Sequence, residues 1–202
     1  MIKLISSKVA RILCEDEKHT DNYELYEYAI YILLSSAFHI ATVIVLGLVF
    51  NLLTESLVFY LSFIVIRKFA GGYHAKTPTR CYIISIITIV LMLCIIKWIL
   101  IINYLSIYYS LFFSELVCVL ILCFLSPLDT ENKLLNGKER TIYKIVSCVT
   151  SIAISLFSTF LIVIGVYNIC VSLSFSIFTS TVLLIVLSLI HISEPTRRVV
   201  IS

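Results

Sequence analysis

The chain has 202 residues, of which 60% are hydrophobic and 13% charged, with a mean hydropathy of +1.08 and a formal net charge of +3. Soluble domains usually hold about 45–50% apolar and about 25% charged residues, so a soluble globular class is excluded and an integral membrane protein is indicated. The small total charge says little about partners, and no nucleic-acid partner is expected; the placement of the charges is the informative part.

The first residues mix Lys, Arg, Glu and Asp and present no apolar core ending in a small-residue cleavage site, so no cleavable signal peptide is expected. Lys3, Lys8, Arg11 and Lys18 precede the first span. Asp21-Asn22 then open "YELYEYAIYILL", an amphipathic approach whose tyrosines suit interfacial depth. The stretch 29–66, interrupted by Asn51 and Glu55, holds either two short spans or one span and a re-entrant piece. A polar segment follows, "RKFAGGYHAKTPTRCY", from Arg67 to Tyr82. Between Tyr82 and Leu128 the only charges are Lys97 and Glu115, and between Ile145 and Ile190 there is none. A spanning helix needs about 20 apolar residues, so each of these stretches predicts a helical pair. Between them, "SPLDTENKLLNGKER" predicts a Pro-initiated turn and a short polar helix ended by Asn136-Gly137. The fold class is therefore all-α, polytopic, with about six transmembrane helices.

Basic residues collect in alternate connections: before the first span, at Arg67, Lys68, Lys76 and Arg80, at Lys133, Lys138, Arg140 and Lys144, and at Arg197 and Arg198. The hairpins near Asn51, residues 97–103 and Tyr167-Asn168 hold one basic residue, Lys97, between them. Positive charge marks the cytoplasmic side, so both termini and the 67–82 segment are expected there, in a multi-pass protein of the lipid bilayer. One integral domain is expected over 1–189. The polar tail 190–202, "IHISEPTRRVVIS", is similar to translated adapter sequence and is expected to be non-native, leaving the true C-terminus absent.

The segment 67–82 carries the candidate chemistry. Gly71 and Gly72 end a span where side chains would obstruct the backbone, and Thr77-Pro78 starts the next helix with Arg80 and Cys81 in its first turn. A helix N-terminus and nearby cations favour thiolate, and an imidazole can take a thiol proton and return it to a leaving amine. His74 and Cys81 lie seven residues apart across a turn. From residue types alone two readings stand: a catalytic Cys-His pair, or a packing Cys with a solvated His. The other six cysteines read as packing residues, and with no CxxC pair or third ligand nearby neither a metal nor a cofactor is expected. Arg67 fits substrate binding, oxyanion stabilisation or headgroup anchoring. Lys68, Lys76 and Arg80 form a basic rim that suits an acidic partner and equally the positive-inside bias. Asp129 and Lys133 read as cap and surface charges or as weak substrate contacts. An ionised acid at mid-bilayer costs about 2.5–3.5 kcal/mol. Glu115 is thus a candidate for a polar path, pairing with Lys97, while Glu55 lies nearer an interface.

These residues resemble the accessory gene regulator protein B family (AgrB), membrane peptidases of Gram-positive quorum sensing. The likeness rests on an Arg, then Gly-Gly-Tyr-His-Ala, then a Cys seven residues after the His, with Arg67, Gly71, Gly72, His74 and Cys81 in the matching places. It extends to "YELYEYAIYILL" and to "SPLDTENKLL", which is similar to a Pro-x-Asp-x-x-Asn-Lys loop. The resemblance implies a cysteine endopeptidase of the cell membrane with a Cys81-His74 dyad. It implies removal of the C-terminal part of an AgrD-like precursor peptide through an acyl-thioester, ring closure to a thiolactone or lactone, and a homodimer. A small membrane transporter or peptide exporter is the alternative, supported by the apolar helices and buried acids and opposed by the absence of paired Gly/Pro-broken segments. A purely structural membrane partner is a third reading.

Overall fold

A computed structural model describes residues 2–13, 23–71, 78–102, 104–128 and 136–193. Among the described residues every regular element is a helix: α1 (Ile2–Leu13), α2 (Tyr23–Phe50), α3 (Leu53–Ala70), α4 (Pro78–Ile102), α5 (Leu105–Leu125), α6 (Gly137–Val163) and α7 (Tyr167–Ser193). Five of them, α2 and α4 to α7, are long and apolar enough to cross a membrane. Of the other two, α1 has 12 residues, and the 18 residues of α3 include three charges, Glu55 in its first turn and Arg67 and Lys68 in its last. Charges at both ends of so short a helix leave little uninterrupted apolar length.

The chain divides into two compact units, Met1–Val45 and Leu46–Ser202, the division falling within α2. In the first unit the Tyr23 hydroxyl donates to the Ser7 carbonyl, 3.3 Å, joining α2 to α1. Helical spacing puts Ile5, Val9 and Ile12 on one face of α1, where all three are exposed, with Ser7 and Arg11 on the far side. In the sequence its basic residues have the pattern of charge flanking the first span, which hides the helix.

The second unit is built on helical hairpins. At the end of α2, Asn51 adopts a left-handed φ of 57°. The Leu52 N–H then reaches the Gly47 carbonyl (2.8 Å) and the Asn51 N–H the Leu48 carbonyl (3.1 Å), the paired bonds that close a helix C-terminus. Gly47 lets α3 approach closely, since a Cβ there would stand 3.0 Å from Leu53 Cα and overlap the Ser56 hydroxyl. The same closure recurs after α6, where Gly165 has φ 82° and the Val166 N–H bonds the Leu161 carbonyl at 2.9 Å. That turn lies just ahead of the expected Tyr167-Asn168. Tyr167 instead begins α7 and stacks on Tyr108 of α5 with ring centroids 4.3 Å apart.

Asn136-Gly137, expected to end a helix, begins one. Asn136 has an extended φ/ψ of −68°/158° and forms a capping box with Glu139, whose carboxylate accepts from the Asn136 N–H at 3.3 Å. Asn followed three residues later by Glu is an N-terminal signature, and the reading of a polar helix stop overlooked it. The short polar helix expected ahead of it lies outside the described residues.

Helix α7 is the centre of this unit and packs against α3, α4, α5 and α6. One core joins Ile66 and Ala70 of α3, Cys118, Val119 and Leu122 of α5, and Ile177 and Leu184 of α7; another joins Leu161 of α6 to Cys170 and Leu173 of α7. In hydrocarbon, apolar burial does not drive helices together, and small residues that permit close backbone approach do. That explains why the buried faces of α6 and α7 are rich in Ser and Thr while Leu156, Phe157, Phe160 and Val163 point outward.

Contacts at the helix ends sort the charges. The C-terminus of α3 meets the end of α5 through the Leu128 N–H to Ala70 carbonyl bond (3.3 Å), and meets α6 through Phe69 on Tyr143 (5.7 Å between centroids). Arg67, Lys68, Lys138, Arg140 and Lys144 therefore share one end of the unit. At the other end Lys97 donates to the Phe50 carbonyl at 3.2 Å, capping α2. That bond replaces the expected pairing of Lys97 with Glu115.

Candidate functional site

Cys81 sits in the first turn of α4, which begins with Pro78, a residue whose fixed φ and missing N–H suit a helix start. Its carbonyl accepts from Ser85 Oγ at 2.9 Å, one turn on. Facing it, from the last turn of α3, is Arg67. The guanidinium lies beside the Cys81 side chain and the Tyr60 hydroxyl. The face of Phe63 is 5.6 Å from the guanidinium carbon, a cation–π contact that holds the planar group in place. Two sources of positive potential thus converge on the sulfur, the guanidinium and the N-terminal end of the α4 dipole.

Beside this pair is a cavity of about 30 Å³ between α3, α4 and α7. Tyr60, Phe63, Arg67, Cys81, Ser85, Thr88 and Leu183 are among its walls. A water needs about 10–15 Å³ of such space, so the cavity has room for one or two. Its lining is mostly apolar, with Tyr60, Arg67, Cys81, Ser85 and Thr88 as the residues that carry polar groups.

Gly71 terminates α3 with φ 83° and ψ −175°, a region open essentially to glycine alone. A Cβ there would also stand 2.8 Å from the Leu128 carbonyl oxygen. Gly71 therefore lets the end of α3 lie against the α5 exit. Gly71→Ala is expected to cost about 1–3 kcal/mol, from the strained backbone and the displaced Leu128. In detergent this appears as a melting temperature lower by about 2–12 °C, given about 2–4 °C per kcal/mol for a chain of this size.

The remaining candidates fall in three groups. Lys68 and Arg80 are exposed beside the pair, with Lys68 Nζ 5.6 Å from the Phe69 ring centroid. Glu115 is buried elsewhere, among α5, α6 and α7. Gly72, His74, Lys76, Asp129 and Lys133 lie outside the described residues. Tyr60, Phe63 and Ser85 were missed in the sequence reading. Helical spacing held the signal, since Tyr60 and Phe63 precede Arg67 by seven and four residues and Ser85 follows Cys81 by four. Among the described residues no group of three His, Cys, Asp or Glu side chains is arranged to hold a metal, and the six described cysteines are unbridged.

The sequence profile of the family "Accessory gene regulator B" matches residues 6–193, nearly the whole chain and all of this site. The chain belongs to the AgrB family. An AgrB-like protein of Clostridium perfringens strain SM101 is 27% identical over 190 residues, covering 90% of this chain and 84% of the relative. A second, AgrB-like protein 2 of C. perfringens strain 13, is 29% identical over 147 residues, 68% of this chain and 64% of the relative. Protein FsrB of Enterococcus faecalis is 30% identical over 83 residues, 41% of this chain and 34% of the relative. No solved structure matches the chain. With its apolar helices, this AgrB-family chain is a multi-pass membrane protein related to quorum sensing.

Proposed function

We propose that this protein is a membrane cysteine endopeptidase that removes the C-terminal part of an AgrD-like precursor peptide and supports its ring closure. The observation that carries the reading is the Arg67 guanidinium set on the Cys81 side chain at the start of α4. Packing alone gives a cysteine no need of a cation, whereas a thiolate nucleophile does.

In this mechanism His74 takes the Cys81 thiol proton and the thiolate attacks the scissile carbonyl. Arg67 steadies the negative charge of the tetrahedral oxygen. Collapse breaks the C–N bond, the departing amine receives the proton from His74, and the precursor's N-terminal part stays on Cys81 as a thioester. A thiol within that part then gives its proton to His74, attacks the thioester carbonyl and expels the Cys81 sulfur, which takes that proton back, closing a thiolactone; a hydroxyl would close a lactone. One thioester replaces another at similar energy, so loss of the released tail draws the exchange forward. The basic groups at the same end of the unit as Arg67 suit an acidic tail. Positive-inside bias favours the cytoplasm for that end, with α3 as a short sixth span and both termini inside; the family resemblance supports two copies of the chain working as a homodimer.

Co-expression with an AgrD-like precursor peptide, read by peptide mass, tests the reading. The expected result is a precursor shortened by its acidic tail together with a product lighter by one water, the mass of a ring. An intact precursor that instead crosses the membrane identifies the exporter of the alternative reading.

A further inference from the structure

The α5–α7 core contains a second polar centre that the Cys81 chemistry does not use. Glu115, midway along α5, is 2% exposed. Its Oε2 accepts from Ser174 Oγ of α7 at 2.6 Å and from Ser158 Oγ of α6 at 3.0 Å. Those two hydroxyl oxygens are 3.3 Å apart, and the Ser155 hydroxyl also stands beside the carboxyl. Oε1 is equally buried and has no hydrogen-bond partner among the described residues. A carboxylate in this setting needs a cation on that oxygen, and a carboxylic acid needs an acceptor for its O–H. Among the described residues no cation stands against it, and the Ser155 hydroxyl is the polar group beside it that could accept a proton.

The surroundings indicate which group completes the site. Ser155 and Ser158 continue a buried line on α6 through Ser151 to Ser147, toward the end of the helix that meets α3. Along it Ser151 donates back to the Ser147 carbonyl, so its oxygen lone pairs remain available. Ser147 Oγ is itself buried with no partner among the described residues. Hydroxyl and carboxylate oxygens are hard ligands. One carboxylate balances one positive charge, whereas a divalent ion would leave a net charge in low dielectric.

We propose that Glu115, Ser155, Ser158 and Ser174 form an intramembrane binding site for a desolvated monovalent cation, sodium in particular, reached along the α6 serine line. The site rests on the α5–α7 geometry and stands whether or not Cys81 is a nucleophile.

Full-length protein in detergent, prepared in choline chloride, is titrated with NaCl at constant ionic strength while its melting temperature is followed. Binding of radioactive sodium is measured in parallel. The expected result is a saturable rise of several degrees with sodium, matched by stoichiometric sodium binding. Glu115→Gln removes both, and Ser174→Ala weakens the apparent affinity at least about tenfold, as loss of a liganding oxygen near 1.4 kcal/mol does. Should Glu115→Gln fail to fold, the Ser174→Ala shift decides. Coincident sodium and choline curves with no bound sodium in the wild type overturn the proposal and leave the carboxyl holding a proton. Unchanged sodium binding in Ser174→Ala and Glu115→Gln overturns it as well.

Discussion

Cys81→Ser is expected to abolish release of the precursor's C-terminal piece, lowering the rate by about 10⁴-fold or more, because removal of a nucleophile takes away the whole covalent route. Serine differs by one atom and keeps the half-buried position on α4, so the fold should persist and the melting temperature should change little. His74→Ala is expected to lose about 10²–10⁴-fold, the usual contribution of a positioned acid–base group. Both are read by time-resolved peptide mass after co-reconstitution into liposomes. A Cys81→Ser variant that cuts at the wild-type rate would make the cysteine a packing residue, and attention would pass to Glu115 and transport.

Arg67→Ala is the second large effect, with cutting expected to fall about 10²–10³-fold, as when a donor to a tetrahedral oxygen is lost. Arg67→Lys separates the two uses of this side chain. A lysine still anchors a helix end in headgroups, but it lacks the planar fork that reaches Cys81 while lying over Phe63. The account predicts that Arg67→Lys restores membrane insertion and stability and leaves cutting at least about tenfold below wild type. Equal activity of the wild-type and Arg67→Lys proteins would assign the position to anchoring. Only the rate constant distinguishes these outcomes, so binding of the precursor is measured alongside it.

Much of this architecture was legible because hydrocarbon permits few solutions. Long charge-poor runs predict spanning helices, and Lys/Arg clusters mark their ends. Arg67 and Cys81 were recognisable by type and neighbourhood, but not as partners. Their contact depends on α3 and α4 meeting at one level, which no local pattern states. Tyr60 and Phe63 were hidden for the opposite reason, since aromatic residues in an apolar helix look like packing. The capping box of Asn136 and Glu139 was legible and was misread, because Asn-Gly also ends helices. Glu115 was visible as an intramembrane acid, yet its partners were not. The serines that surround it come from two other helices and resemble ordinary small-residue packing until the three are assembled.

If Cys81 carries the precursor as a thioester, the intact protein gains mass. The precursor is supplied with its internal ring-closing cysteine changed to alanine, so the acyl group has no nucleophile to receive it, and the reaction is quenched in acid. The account predicts wild-type protein heavier by the mass of the precursor's N-terminal part, with the adduct on the peptide containing Cys81 and removed by hydroxylamine. Release of the tail with unmodified Cys81 at every quench time, or the same adduct on the Cys81→Ala protein, would contradict it.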